Sequence, residues 1–179
     1  MNGMKVKDMT LTAVMAALIC IAGPLTIAAG PVPLSLATFA VYLAGTILGK
    51  KWGTIAAGLY LLIGMIGVPV FSGFSGGFQK LAGVTGGYLV GYLPCAFLSG
   101  FGMERMEQKG QKWILPVMMI AGTAVLYAIG TGWFIIQTGN APGAALSLCV
   151  LPFLPGDALK ITAAVLLTGP VRKTVSKVK

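Results

Sequence analysis

Two ionisable side chains, Asp157 and Lys160, stand in a segment that otherwise has the composition of a membrane-spanning helix. A charge within such a segment costs about 2.5–3.5 kcal/mol or more, so it is normally retained for a function. Helical spacing of three places both side chains on one face, where each offsets part of the cost of the other. A carboxylate there can accept N–H hydrogen bonds, and an ammonium group can hold a carboxylate.

Three interpretations of this pair are open: a structural ion pair, a proton relay, or contacts to a ligand. A relay usually needs a series of acids or histidines, whereas the chain has no histidine and only four acidic residues. Pro155 and Gly156 predict a helix start just before Asp157, where the helix dipole favours an acid. Lys160 has no comparable explanation. The pattern therefore favours ligand contacts, and a structural pair stays open as the main alternative.

The composition predicts a polytopic helical membrane protein. The chain has 179 residues, of which 56% are hydrophobic and only 9% are charged, a profile unlike that of soluble domains. Six spans of about 20 residues use most of this length and leave no room for a soluble catalytic domain. Cys20, Cys95 and Cys149 are isolated in apolar stretches, so we expect neither a disulfide framework nor a metal site. We predict one all-α membrane domain over residues 1–179, and not an enzyme.

Hydropathy and turn residues predict six transmembrane helices, at about 8–29, 35–49, 53–70, 84–103, 113–136 and 154–171. The first apolar stretch is longer than that of a signal peptide, so we interpret it as a retained helix. All basic residues except Lys80 and Lys160 then fall on one side of the membrane. The positive-inside rule makes this side cytoplasmic. We therefore predict a multi-pass protein of the cell membrane with both termini in the cytoplasm, and the net charge of +9 needs no nucleic-acid partner.

Three connections lie on the predicted outer side, at residues 30–35, 71–87 and 137–156, and they are rich in proline, glycine or apolar residues. Irregular backbone at membrane depth persists only where protein or a cavity covers it. We therefore infer an outward-facing pocket roofed by these segments. Trp133, Tyr127 and Phe134 could line it, although packing and anchoring within the bundle is the favoured explanation for them.

Small residues recur at intervals of four in three places, a spacing that lets helices approach closely. In spans two and four we expect packing within the chain, by Gly45, Gly49, Gly83, Gly87 and Gly91. In span one, Ala13 and Ala17 form a smooth face. This face suits either packing inside the bundle or docking on a separate protein.

Five segments carry a family resemblance: KDMTLTAVMAAL (7–18), PVPLSLATFAVYLAG (31–45), GMIGVPVFSGFSGG (64–77), GVTGGYLVGY (83–92) and PFLPGDALK (152–160). Over nearly its whole length the chain resembles the BioY family, the biotin-specific S components of energy-coupling factor (ECF) vitamin transporters. It departs from the family pattern at Val84, where a proline is usual, and at Ala37, where a glutamine is usual.

The resemblance implies a six-helix membrane protein that binds biotin from outside and associates with a transmembrane coupling protein and two cytoplasmic ATPases. By analogy, Asp157 would bond the ureido ring and Lys160 would pair with the valerate carboxylate. The Ala13/Ala17 face would dock the coupling protein. The other residues expected to contact the ligand are Gln79, Thr85, Gly86 and Trp133.

The chemistry of biotin agrees with this hypothesis, because a polar bicyclic head and a carboxylate joined by an apolar chain match a pocket with one acid, one base and apolar walls. No phosphate-binding Walker sequence is present, so ATP energy would come from the partner subunits. Biotin would be the transported ligand, and no cofactor is expected. The alternatives are an S component for another small vitamin and a self-contained secondary carrier. No inverted repeat or acid relay is visible to favour the carrier.

Overall fold

The computed structural model of the chain describes residues 6–27 and 32–177. Within these ranges the fold is helical, as predicted, apart from one pair of two-residue strands. In chain order the elements are α1 (Val6–Ala22), β1 (Thr26–Ile27), β2 (Leu34–Ser35), α2 (Ala37–Met65), α3 (Phe78–Ala82), α4 (Gly86–Lys109), α5 (Ile114–Thr138), α6 (Pro142–Cys149) and α7 (Leu154–Lys177).

Helix α2 contains two of the predicted spans, because it is broken at Gly49 (φ 84°, ψ 174°). This backbone conformation is almost restricted to glycine. The two arms lie against each other, since a Cβ on Gly53 would be 2.5 Å from Cα of Gly45. Among the described residues, six long helical segments thus match the six predicted spans. The short helices α3 and α6 lie in the outer connections, which raises the number of separate helices to seven.

Several predicted boundaries were wrong. Helix α1 ends at Ala22 rather than at residue 29, because Gly23 and Pro24 follow and the chain turns into β1. Strand β1 pairs antiparallel with β2 through Thr26↔Ser35 and Ile27↔Leu34. Helices α4 and α7 extend past the predicted residues 103 and 171, because their polar last turns continue the helix beyond the apolar stretch.

By length and hydropathy alone, one described helix, Ile114–Thr138, qualifies as a membrane span. The pair Pro142–Cys149 and Leu154–Val175, bent by 49°, qualifies if it is counted as one span. The remaining segments fall short for identifiable reasons. Helix α1 has 17 residues, the centre of α2 carries Lys50 and Lys51 at its break, and the apolar part of α4 is diluted by glycine and tyrosine.

Glycines set the packing of α4 between α2 and α5. A Cβ on Gly45 would lie 2.4 Å from the carbonyl oxygen of Ala96, and one on Gly87 would lie 2.3 Å from Cβ of Trp133. Packing within the chain is thus confirmed for these glycines and for Gly91, which faces Leu126. Gly83 differs, because its nearest neighbours belong to its own connecting segment.

The charged residues separate along the bundle. At one end Lys50 pairs with Glu104 at 3.0 Å, and Arg172 pairs with Glu107 at 2.7 Å. Asp157 lies in the first turn of α7, about 22 Å from Arg172 at a rise of 1.5 Å per residue. The site residues and Arg172 therefore occupy opposite ends of the same helix, as the charge pattern predicts.

Candidate ligand-binding site

A cavity of about 560 Å³, measured with its open mouth, lies among the outer ends of α2, α4, α5 and α7. The apolar lining residues are Val32, Pro33, Leu34, Phe71, Leu89, Leu126 and Phe153. The polar and charged ones are Ser35, Thr38, Ser72, Lys80, Thr85, Tyr88, Tyr92, Tyr127, Asp157 and Lys160.

Asp157 and Lys160 form a buried ion pair in the wall of this cavity. Lys160 Nζ lies 3.0 Å from Asp157 Oδ1, and the two side chains are 9% and 8% exposed. Both residues come from the first turns of α7, where the backbone N–H of Asp157 donates to Phe153 at 2.8 Å. The predicted helix start and the shared face are therefore both present.

Every proton of the Lys160 ammonium group has an acceptor. Besides Asp157, Nζ donates to the carbonyl oxygen of Ser35 at 2.7 Å and to Thr38 Oγ1 at 3.0 Å. The second carboxylate oxygen of Asp157 accepts a hydrogen bond from the Tyr127 hydroxyl group. A lysine has three donors and a carboxylate has about four acceptor sites, so Lys160 is satisfied without a ligand, whereas Asp157 can still accept further hydrogen bonds. The structural-pair interpretation thus has direct support, and the same pair faces the cavity.

The acceptors for Lys160 are held in place at the start of α2. The hydroxyl group of Ser35 donates to the Gly23 carbonyl at 3.0 Å and accepts from the backbone N–H of Ala37 at 3.0 Å. Thr38 donates to the Ser35 carbonyl at 3.2 Å. The β1–β2 hairpin and the first turn of α2 therefore fix the position into which the ammonium group projects.

Of the residues expected to contact the ligand, Asp157, Lys160 and Thr85 line the cavity. Gln79 is exposed on α3 and is not among the lining residues. Gly86 is buried where α4 begins, and a Cβ there would lie 1.7 Å from the carbonyl oxygen of Leu81. This contact makes Gly86 a packing position.

Trp133 also lies outside the cavity lining. Its indole N–H donates to the Gly83 carbonyl at 2.9 Å, and Gln137 Nε2 donates to the Ala82 carbonyl at 2.9 Å. These two side chains of α5 fasten the segment that follows α3. Of the other aromatic candidates, Tyr127 lines the cavity and Phe134 is buried in the core.

The proposed docking residues Ala13 and Ala17 are exposed on α1, whereas Ala16 between them is buried. Packing inside the bundle thus does not explain this pair within the described residues.

Sequence reasoning gave no role to several residues that line the cavity. The charge pattern placed Lys80 on the outer side, where few charges lie, and this could have indicated a role in the site. Thr38 and Tyr88 carry no signal in a single sequence, since hydroxyl groups are common in helices that pack closely.

Six long helical segments around an apolar-walled cavity, with a buried acid–base pair inside it, define a class: helical membrane proteins that bind a small molecule with polar and apolar parts. The sequence matches the BioY family over residues 1–177. The chain belongs to this family, and it is a multi-pass membrane protein.

Relatives with similar lengths support this assignment. The probable biotin transporter BioY of Pyrococcus horikoshii is 37% identical over 164 residues, which cover 92% of this chain and 95% of the relative. The biotin transporter BioY of Thermotoga maritima is 36% identical over 168 residues, covering 93% and 96%. The crystal structure of the S-component for biotin from an ECF-type ABC transporter matches with a TM-score of 0.85 and 31% identity, covering 97% of this chain and 94% of the other.

Proposed function

We propose that this chain is the biotin-binding S component of an ECF transporter, which captures biotin from outside the cell for uptake powered by partner ATPases. The observation that carries the proposal is the cavity in a chain of the BioY family: one buried acid–base pair set among apolar walls. Curated relatives are named transporters, so the chain belongs among transporters rather than enzymes.

The polar head of biotin would lie against Asp157. Its ureido ring presents N–H donors, and the Asp157 carboxylate is an acceptor held in place by Lys160 and Tyr127. The apolar chain of biotin would pass over Phe71, Leu89 and the other apolar walls. Thr85 lines the same space and is a further hydrogen-bonding group.

The remaining expected contacts have more indirect roles in this proposal. Trp133 would position the segment after α3 through its bond to Gly83, and Gly86 would allow α4 to begin close to that segment. Gln79 is exposed, so it would reach the ligand only after a movement of α3. Biotin would be cargo, and no resident cofactor is needed for this binding chemistry.

The rest of the transporter would be supplied by other chains. The exposed Ala13/Ala17 face of α1 is the proposed docking surface for the transmembrane coupling protein. Two cytoplasmic ATPases would supply the energy, and the loaded bundle, a single domain over residues 1–179, would reorient in the cell membrane.

Titration of the purified protein with biotin and a panel of other small vitamins tests the proposal. We expect biotin alone to bind tightly, and Asp157→Asn to weaken binding about tenfold or more, because a charge-assisted hydrogen bond is lost. Glu107→Gln makes the same chemical change at the opposite, exposed end and should bind as wild type does.

Two outcomes would contradict this proposal. Preferential binding of a different vitamin would make the chain an S component for that compound. Biotin accumulation in cells that lack every coupling subunit would identify a self-contained carrier.

A further inference from the structure

Lys80 is a second lysine of the binding cavity. It belongs to α3, is half-buried and lines the same space as Asp157 and Lys160. Among the described residues, no hydrogen bond or ion pair engages its ammonium group. Its charge therefore faces the cavity with no partner among the residues that the structure describes.

Lys160 is in the opposite situation. Its three donors are committed to Asp157, Ser35 and Thr38. A ligand carboxylate could pair with Lys160 only by displacing one of these buried acceptors, which would then need a new partner.

The charges that line the cavity also point to Lys80. They are one aspartate and two lysines, and the Asp157–Lys160 pair is neutral as a whole, which leaves one positive charge, on Lys80. A ligand with a single carboxylate would neutralise it. Burying an anion is favourable only where such a partner exists.

We propose that Lys80, rather than Lys160, holds the carboxylate of the ligand, and that the Asp157–Lys160 pair serves the polar head. This inference rests on the proposed function for the identity of the ligand as biotin. The C-terminal end of α3, which carries Lys80, is held by α5, because Gln137 and Trp133 donate to the carbonyl groups of Ala82 and Gly83. Lys80 thus binds the carboxylate of the ligand, and Lys160 acts at its polar head through Asp157.

The test compares biotin with its neutral primary amide, in binding titrations of the purified protein. Wild type should bind biotin about ten to a hundred times more tightly than the amide, the effect of one charge-assisted contact. Lys80→Gln and Lys80→Met should remove this preference by weakening biotin only, and Lys80→Arg should retain most of it. Lys160→Gln should weaken both ligands and leave their ratio unchanged. Lys109→Gln, an exposed lysine at the other end of α4, is the matched control and should bind as wild type does.

Equal affinity of wild type for biotin and the amide would overturn the proposal without any variant. So would a Lys80→Gln protein that keeps the preference, above all if Lys160→Gln loses it, since the carboxylate would then lie on Lys160. A wild-type protein that binds neither ligand would instead refute the proposed function, so the two failures are distinguishable.

Discussion

At the scale of single residues, Asp157 and Lys160 depend on each other inside an apolar wall. Each is less than a tenth exposed, and each has further partners on another helix, Tyr127 for the acid and Thr38 for the base. Removing one member of such a pair leaves a buried charge without its counter-charge. This lowers the stability of the protein more than removing both members does.

Asp157→Asn should therefore lower the free energy of unfolding by about 3–5 kcal/mol. The double variant Asp157→Asn/Lys160→Met should recover much of this loss, because no buried charge is left uncompensated. Thermal unfolding of the detergent-solubilised protein measures both. Glu107→Gln, which breaks a half-exposed pair with Arg172, should change stability by less than about 1 kcal/mol. Equal stability of the single variant and wild type would show that the pair is not a structural unit.

At the scale of elements, two spans are joined directly at the break in α2, with no loop between them. Gly49 provides the unusual backbone angles, and Glu104 of α4 accepts a hydrogen bond from the first free N–H of the second arm, on Lys50, at 3.0 Å. Glu104 also pairs with the Lys50 side chain. The carboxylate thus acts as a cap supplied by a neighbouring helix.

Gly49→Ala should destabilise the protein by about 1–3 kcal/mol, because φ 84° with ψ 174° is strained for any residue with a Cβ. Gly132→Ala is the matched control, since Gly132 lies within α5 with no atom within 4 Å of an added Cβ. It should be neutral or slightly stabilising, as alanine favours helices more than glycine does. The unfolding temperatures of the two variants measure this difference. Equal temperatures would show that alanine at position 49 is not strained.

Helix α1 presents the exposed small face that we assign to the coupling protein. Replacing both Ala13 and Ala17 by leucine should abolish co-purification with the coupling protein and leave biotin affinity unchanged, because neither residue is among those that line the cavity. Ala124 and Ala128 form an equally spaced exposed pair on α5. Their double leucine variant should still co-purify, and its failure to do so would show that the effect is not specific to α1.

At the scale of the whole molecule, the sequence was sufficient for the number of spans and for the central pair, although not for the ends of every helix. Long apolar stretches and costly charges leave strong signals, and Asp157 and Lys160 are such charges. The sequence did not predict that the break in α2 is confined to Gly49. The adjacent lysines, Lys50 and Lys51, indicate a loop, whereas they lie within the helix. Lys80, Tyr88 and Thr38 meet at the cavity through tertiary packing, which a single sequence does not encode locally.

The predicted orientation can be tested with single cysteines, after Cys20, Cys95 and Cys149 are replaced by serine or alanine. Lys80→Cys should react with a membrane-impermeant maleimide in intact cells, and biotin should slow the reaction. Lys109→Cys should react only after permeabilisation, since it lies among the cytoplasmic bases. The reverse pattern would invert the topology.

The three charges of the cavity have a consequence for the membrane voltage. With the ligand carboxylate on Lys80, the occupied cavity is neutral, whereas the empty cavity carries one positive charge. If the bundle reorients as proposed, the occupied cavity would add no voltage dependence to its inward movement with cargo. Its empty return would carry that charge outward against an inside-negative potential, at up to about 2.3 kcal/mol per 100 mV. Recovery of the empty carrier, rather than capture of biotin, would then be the voltage-dependent step.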